Sequence, residues 1–168
     1  MRKRTSFVLI SVMMLTLAGC GSASAGKLKS SDLSFDYNGN SISVKNDANK
    51  TIAALGEPSE EQTSPYNEND KLYIFGSEPD SIELSTVNDY AQSLIIHDSN
   101  IKTSRDIGVG NVYNDVIAAY GDNGTHTMND DSWNISYKYK DYMLSFDMEG
   151  EDHKVTAITY SNKPITIN

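Results

Sequence analysis

A six-residue stretch occurs twice in this chain, and the residues after each copy run in the same order of patterns. Thr51-Ile52-Ala53-Ala54-Leu55-Gly56 recurs as Val116-Ile117-Ala118-Ala119-Tyr120-Gly121, identical at four positions and conservative at the other two. A fixed internal repeat constrains the fold more than any single motif, because each unit must bury its apolar face against its twin. Both copies have helical apolar spacing and end in Gly, the residue that most readily takes the left-handed conformation closing a helix. Asp47 is placed to cap the first helix and Asn111 the second. In the second copy Val112, Val116, Ile117 and Tyr120 share one face, so that helix lies against something apolar.

After Gly121 comes a polar loop. Trp133, Ile135, Tyr137 and Tyr139 then alternate with Asn134, Ser136, Lys138 and Lys140. This period of two predicts a half-buried strand. Tyr142, Leu144, Phe146 and Met148 alternate in the same way with Met143, Ser145 and Asp147, and a third strand is predicted over 154–161. After Gly56 the order repeats: a polar loop with Pro58 and Pro65, then strands at 71–76, 81–87 and 91–98. Asn38-Gly39 between 33–37 and 41–46 marks a further hairpin, since both residues tolerate positive φ. The expected fold class is α+β: two tandem repeats of a helix followed by a three-stranded antiparallel meander. The helices pack on one face of antiparallel sheet.

The N-terminus carries a different message. Arg2, Lys3 and Arg4 precede an uncharged apolar run, Phe7 to Leu17, which ends at Leu17-Ala18-Gly19-Cys20. A positive start, a short apolar stretch and small residues before a cut site mark a secretory signal peptide. The apolar run is too short to span a bilayer. The tetrapeptide resembles a lipobox, with Leu17, Ala18 and Gly19 as the peptidase recognition residues. That resemblance implies lipidation of Cys20, a membrane anchor and an extracytoplasmic location. Cys20 is the sole cysteine, so no disulfide framework and no thiolate metal site is available. The expected organisation is signal peptide 1–19, flexible stalk 20–31, first repeat 32–100, second repeat 101–162 and tail 163–168.

Loss of residues 1–19 removes three basic and no acidic residues, so the formal charge moves from −9 to −12. An acidic body argues against a nucleic-acid partner and against adsorption on anionic surfaces.

The helix and meander arrangement resembles a family of small Gram-positive-type lipoproteins. The residues that carry the resemblance are Ala54-Leu55-Gly56-Glu57-Pro58, Lys102 to Gly110, and Ala119-Tyr120-Gly121. Asp106 departs from the family pattern, which has Gly before the isoleucine. The repeat unit is in turn similar to the β-lactamase-inhibitor protein (BLIP-like) and to outer-membrane assembly lipoproteins of the SmpA/OmlA type. These resemblances imply a non-enzymatic protein that presents a sheet surface to another protein. They transfer fold better than function.

Catalytic constellations are not legible. His97, His126 and His153 stand far apart with no metal-ligand spacing and read as exposed, with His126 in a loop. No G-x-S-x-G elbow occurs. The carboxylates cluster in predicted loops and lack the calcium-loop pattern. Gly108-Val109-Gly110 has Tyr113 where a dinucleotide fingerprint needs a third glycine, so it reads as a tight turn. No cofactor, no metal and no enzymatic activity is expected. One polar sheet face remains, Asn134, Ser136, Lys138, Lys140, Met143, Ser145 and Asp147, as the candidate partner-binding surface. An envelope or extracellular protein would be its partner. The alternative is a small-molecule or peptide-binding lipoprotein with a cleft lined by Tyr113, Tyr120, Tyr137, Tyr139 and Tyr142; a hydrolase is a more remote reading.

Overall fold

The protein was analysed as a computed structural model that describes residues 26–129 and 132–163. Leu17, Ala18, Gly19 and Cys20 lie outside the described residues, as do Asp130, Asp131 and all of the expected tail but Lys163.

A 3-10 turn at Ser30–Leu33 leads into the hairpin β1 (Ser34–Tyr37) and β2 (Asn40–Ser43). Asn38 and Gly39 both take positive φ, 48° and 79°, as the two-residue turn requires. Helix α1 (Ala48–Leu55) is followed by β3 (Glu60–Thr63), β4 (Lys71–Ser77), β5 (Asp80–Val87) and β6 (Tyr90–Ile96). Helix α2 (Tyr113–Tyr120) is followed by β7 (Thr125–Asn129), β8 (Ser132–Tyr139), β9 (Tyr142–Glu149) and β10 (Lys154–Asn162). These eight strands form one antiparallel sheet in the order β3-β4-β5-β6-β10-β9-β8-β7. The molecule is thus α+β, with two helices and a large antiparallel sheet.

Each helix is followed by four strands, where three were expected. The additional strands, β3 and β7, occupy stretches read as polar loops. Both are sheet edges that pair on one side only. β3 is Glu-Glu-Gln-Thr and exposed at every position, so it carries no apolar alternation to detect. Backbone pairing and the Lys71–Glu61 ion pair (2.7 Å) hold it to β4, and period two vanishes from the sequence.

The core lies on one face of the sheet. Tyr73, Leu84, Leu94, Tyr160, Leu144 and Tyr137 follow one another across six strands in register. Phe75, Ile82, Ile96, Ile158, Phe146 and Ile135 form the next row. Most of these side chains are almost wholly buried. Each contributes about 1.5–3 kcal/mol by leaving water. Helix α2 lays Val116 and Tyr120 on these rows, with the Tyr120 ring 5.3 Å from both Tyr137 and Phe146. The hairpin covers the same face through Phe35, 5.6 Å from Tyr160, and α1 packs against β2 and β6.

The caps divide. Asp47 accepts the Lys50 N–H at 2.8 Å and Gly56 closes α1 at φ 102°, both as the sequence predicts. Asn111 does not cap α2. The boundary residue is Val112, whose N–H is accepted by Asp115 at 3.1 Å. Asn111 instead accepts the Gly108 N–H at 2.9 Å and so closes the preceding turn.

Candidate functional site

Of the segment 20–31 read as flexible stalk, residues 26–31 are described, and they are docked. Leu28 is 5 % exposed within the core. The anchor is Arg105. Its guanidinium donates to the carbonyls of Gly26 (3.2 Å) and Lys27 (3.3 Å), to Ala119 of α2 (3.0 Å), and to Asp32 (2.6 and 3.1 Å). It also lies 4.6 Å over the Tyr120 ring. Burial opposes ionisation of Asp32, but the Arg105 guanidinium, the Lys29 N–H and the Ser104 hydroxyl outweigh it and hold the carboxyl below its ordinary range. In the sequence Arg105 stands out only as part of the stretch Lys102 to Gly110 that carries the lipoprotein resemblance. Its partner stands 73 residues away, a separation that no local pattern reveals.

These contacts sit on the helical side of the sheet. The opposite face carries the alternate positions of the same strands. One row across it reads Ile74, Glu83, Ile95, Thr159, Ser145, Ser136. Another runs Leu72, Ser85, Ser93, Ser161, Met143, Lys138. Both helices pack on the other side.

Within this face the predicted residues divide into two groups. Asn134 donates to Asp147 (2.7 Å), Ser136 donates to Asn134 (2.7 Å), and Ser145 donates to Ser136 (3.1 Å). These four side chains are locked to each other, and Ser145 is only 6 % exposed. Such a strip is preorganised, with side-chain entropy already lost before any contact. Lys138 and Met143 stand free at its end, Met143 40 % exposed. Lys140 is not part of the face. It occupies the β8–β9 turn at φ 54°, with its amine 5.5 Å from the Tyr139 ring. Alternation places a residue on a face only while the strand lasts, and β8 ends at Tyr139.

Leu72, Ile74 and Ile95 add half-buried aliphatic area beside the polar strip. Sequence reasoning missed them. Leu94-Ile95-Ile96 is a continuous apolar run, and such runs hide which residue points outward.

The expected cleft tyrosines fall in three different surroundings. Tyr120 and Tyr137 are buried in the core. Burial pushes the Tyr120 hydroxyl up to about 12 and Tyr137 up as well. Tyr113 meets Trp133 edge-on at 5.9 Å, and Tyr142 lines a surface pocket. They do not converge on one cleft.

The histidines are more engaged than their spacing suggests. His126 lies in β7 rather than in a loop, 3.5 Å from Asp122. His153 stacks on Trp133 at 3.8 Å, and its Nδ1 is buried without a hydrogen-bond partner. His97 sits 3.5 Å from Glu83. Among the described residues no group of three or more His, Cys, Asp or Glu is gathered as for a metal ion.

No protein-family profile matches the chain, and no curated protein sequence matches it. Solved structures do. An uncharacterized protein from Escherichia coli, yfeY, superposes with a TM-score of 0.53 at 13 % identity, over 72 % of this chain and 93 % of that one. A cysteine-rich secretory protein from Staphylococcus aureus gives 0.52 at 15 % identity, over 70 % and 44 %. An extracellular protein containing an SCP domain from Bacillus anthracis gives 0.47 at 12 %, over 69 % and 43 %. This chain therefore matches less than half the length of the latter two proteins. At such identities the likeness concerns the fold alone.

Proposed function

We propose that this chain is a non-catalytic, lipid-anchored module of the cell envelope that binds a protein partner through the open face of its sheet. One observation carries the reading. The helices, the hairpin and the docked residues 26–33 all lie on one side of the sheet, and the other side is left with a preorganised polar strip bordered by aliphatic residues. An anchor at Cys20 would leave the body on the helical side, because Arg105 holds Gly26 and Lys27 against α2. The open face would then point away from the lipid.

The two halves are, in this reading, copies of one BLIP-like unit related to small Gram-positive-type lipoproteins. The mirrored strand order supports it. So does the docking of each helix: α1 starts against the β5–β6 turn, with Ala48 N–H donating to Asp89, and α2 starts against the β9–β10 turn, with Tyr113 N–H donating to His153. Each helix N-terminus is held by its own meander.

The test is cross-linking in intact cells, comparing the parent chain with Lys138→Glu and Asp147→Lys. A single envelope protein captured by the parent and lost from both variants, with the thermal stability of Lys138→Glu unchanged, is the expected result. Equal capture by all three chains would rule the face out as the binding surface. Binding of a small molecule or peptide is the second reading, and a pocket on the same face favours it.

A further inference from the structure

The open face is not flat throughout. Where β6, β9 and β10 meet the β8–β9 turn, a pocket of about 420 Å³ is lined by residues that include Ser93, Lys138, Asp141, Met143, Ser161 and Lys163. That volume falls within the range of small-ligand sites. Its walls are fixed by hydrogen bonds: Gln92 donates to the Asn162 carbonyl at 2.7 Å, and the Lys163 N–H donates to the Asp141 carbonyl at 2.7 Å. The second bond sets Lys163 beside the mouth.

Charge sets the character of this corner. Its lining carries two lysines, Lys138 and Lys163, against one carboxylate, Asp141. Among the described residues neither lysine has a carboxylate within 4 Å, as is also true of Lys27, Lys29, Lys45, Lys50 and Lys140. Two ammonium groups against one carboxylate leave a positive opening, and a concavity concentrates that field. Met143 and Tyr142 add apolar area to the lining, and Met in particular adapts to varied shapes. Ser93, Ser161 and Gln92 bring polar groups to the lining.

We infer that this pocket receives the carboxy-terminal end of a polypeptide partner, its carboxylate between Lys138 and Lys163 and its last, apolar side chain on Met143. The inference rests on the protein-binding reading of the face and gives that partner a chemistry. The protein's own excess of acid makes a uniformly acidic partner unfavourable, and a single terminal carboxylate set against two lysines avoids that repulsion.

The probe is N-acetyl-leucine, titrated into the full chain and followed by NMR at the Met143 methyl and at the Ser93 and Ser161 amides. Its carboxamide, N-acetyl-leucinamide, and octanoate serve as comparisons. For a ligand of this size the expected Kd is on the order of 1 mM. Binding of the carboxamide is expected to be about tenfold weaker or less detectable still, and Lys138→Glu and Lys163→Glu each abolish the preference. Both lysines are exposed, so neither variant threatens the fold. Equal binding of acid and carboxamide, or shifts away from Met143, overturns the inference. Octanoate binding as tightly as N-acetyl-leucine overturns the assignment to a polypeptide end, because the peptide group then contributes nothing. The two proposals fail separately. Face-dependent capture in cells without N-acetyl-leucine binding sinks the pocket chemistry alone, whereas pocket binding without face-dependent capture sinks the protein-binding reading.

Discussion

Arg105 and Asp32 form the most deeply placed ion pair among the described residues, and their energetics run through pH. The folded-state pKa of Asp32 lies below its ordinary value, so the pair adds stability above the unfolded pKa and loses it as pH falls through the folded one. Thermal unfolding midpoints are therefore expected to be level from neutral pH down to about 5 and to drop below it. Asp32→Asn should flatten that drop while costing about 3 kcal/mol at pH 7, because it leaves the guanidinium without its counter-charge. A drop of unchanged steepness in Asp32→Asn would show that other carboxylates govern it. Two further residues break local rules. Asp106 sits at φ 64°, in the left-handed region that favours glycine. The left-handed conformation costs a non-glycine residue about 1 kcal/mol, so Asp106→Gly should raise stability by roughly 0.5–1 kcal/mol in urea unfolding. Its ion pair with Lys102 (3.7 Å, exposed) offsets little. The Tyr160 hydroxyl is buried with no hydrogen-bond partner, and burial pushes its pKa well above the ordinary value. Tyr160→Phe keeps the ring against Phe35 and removes the stranded hydroxyl. Its unfolding free energy should equal or exceed the parent's by up to about 1–2 kcal/mol, and a loss would reveal a partner for that oxygen.

At the scale of elements, the sequence was legible wherever a local physical signal existed. The Asn38-Gly39 hairpin, both helices and the six central strands come from turn chemistry and periodicity. Asp47 was readable as a cap because nothing else nearby competes for its carboxylate. Asn111 was not, because the tight turn at Gly108 claims its side chain first. Asp47→Ala should accordingly cost about 1 kcal/mol through loss of the cap. Asn111→Ala should act first on the 108–111 turn. It also removes a 3.0 Å bond to Asp115, which the Val112 N–H still holds, so α2 should stay formed by amide hydrogen exchange; fraying of its first turn would restore Asn111 as its cap. The edge strands β3 and β7 were illegible for the reason that makes them edges. They contribute no core residue, and pairing on one side leaves no mark on residue type. The aromatic cluster of Tyr113, His126, Trp133 and His153 was equally hidden. Separate segments bring those residues together, and the sequence distances between them say nothing about it.

At the scale of the whole molecule, the proposed function rests on sidedness. Six strands bury every second residue under helices and hairpin, which leaves the alternate residues as one continuous surface. The sequence showed half of that surface, the strip from Asn134 to Asp147. The other half depends on strand order, which places Ile74 and Ile95 in the same row as Ser145. It also depends on where the chain enters, which Arg105 sets. The most direct measurement is site-specific photocross-linking in intact cells, with the reactive side chain placed at Ser136 on the open face or at Asn114 on the exposed side of α2. Partner binding through the open face predicts one adduct of defined mass from position 136 and none from position 114. An adduct from position 114 alone would put the partner on the helical side and contradict it.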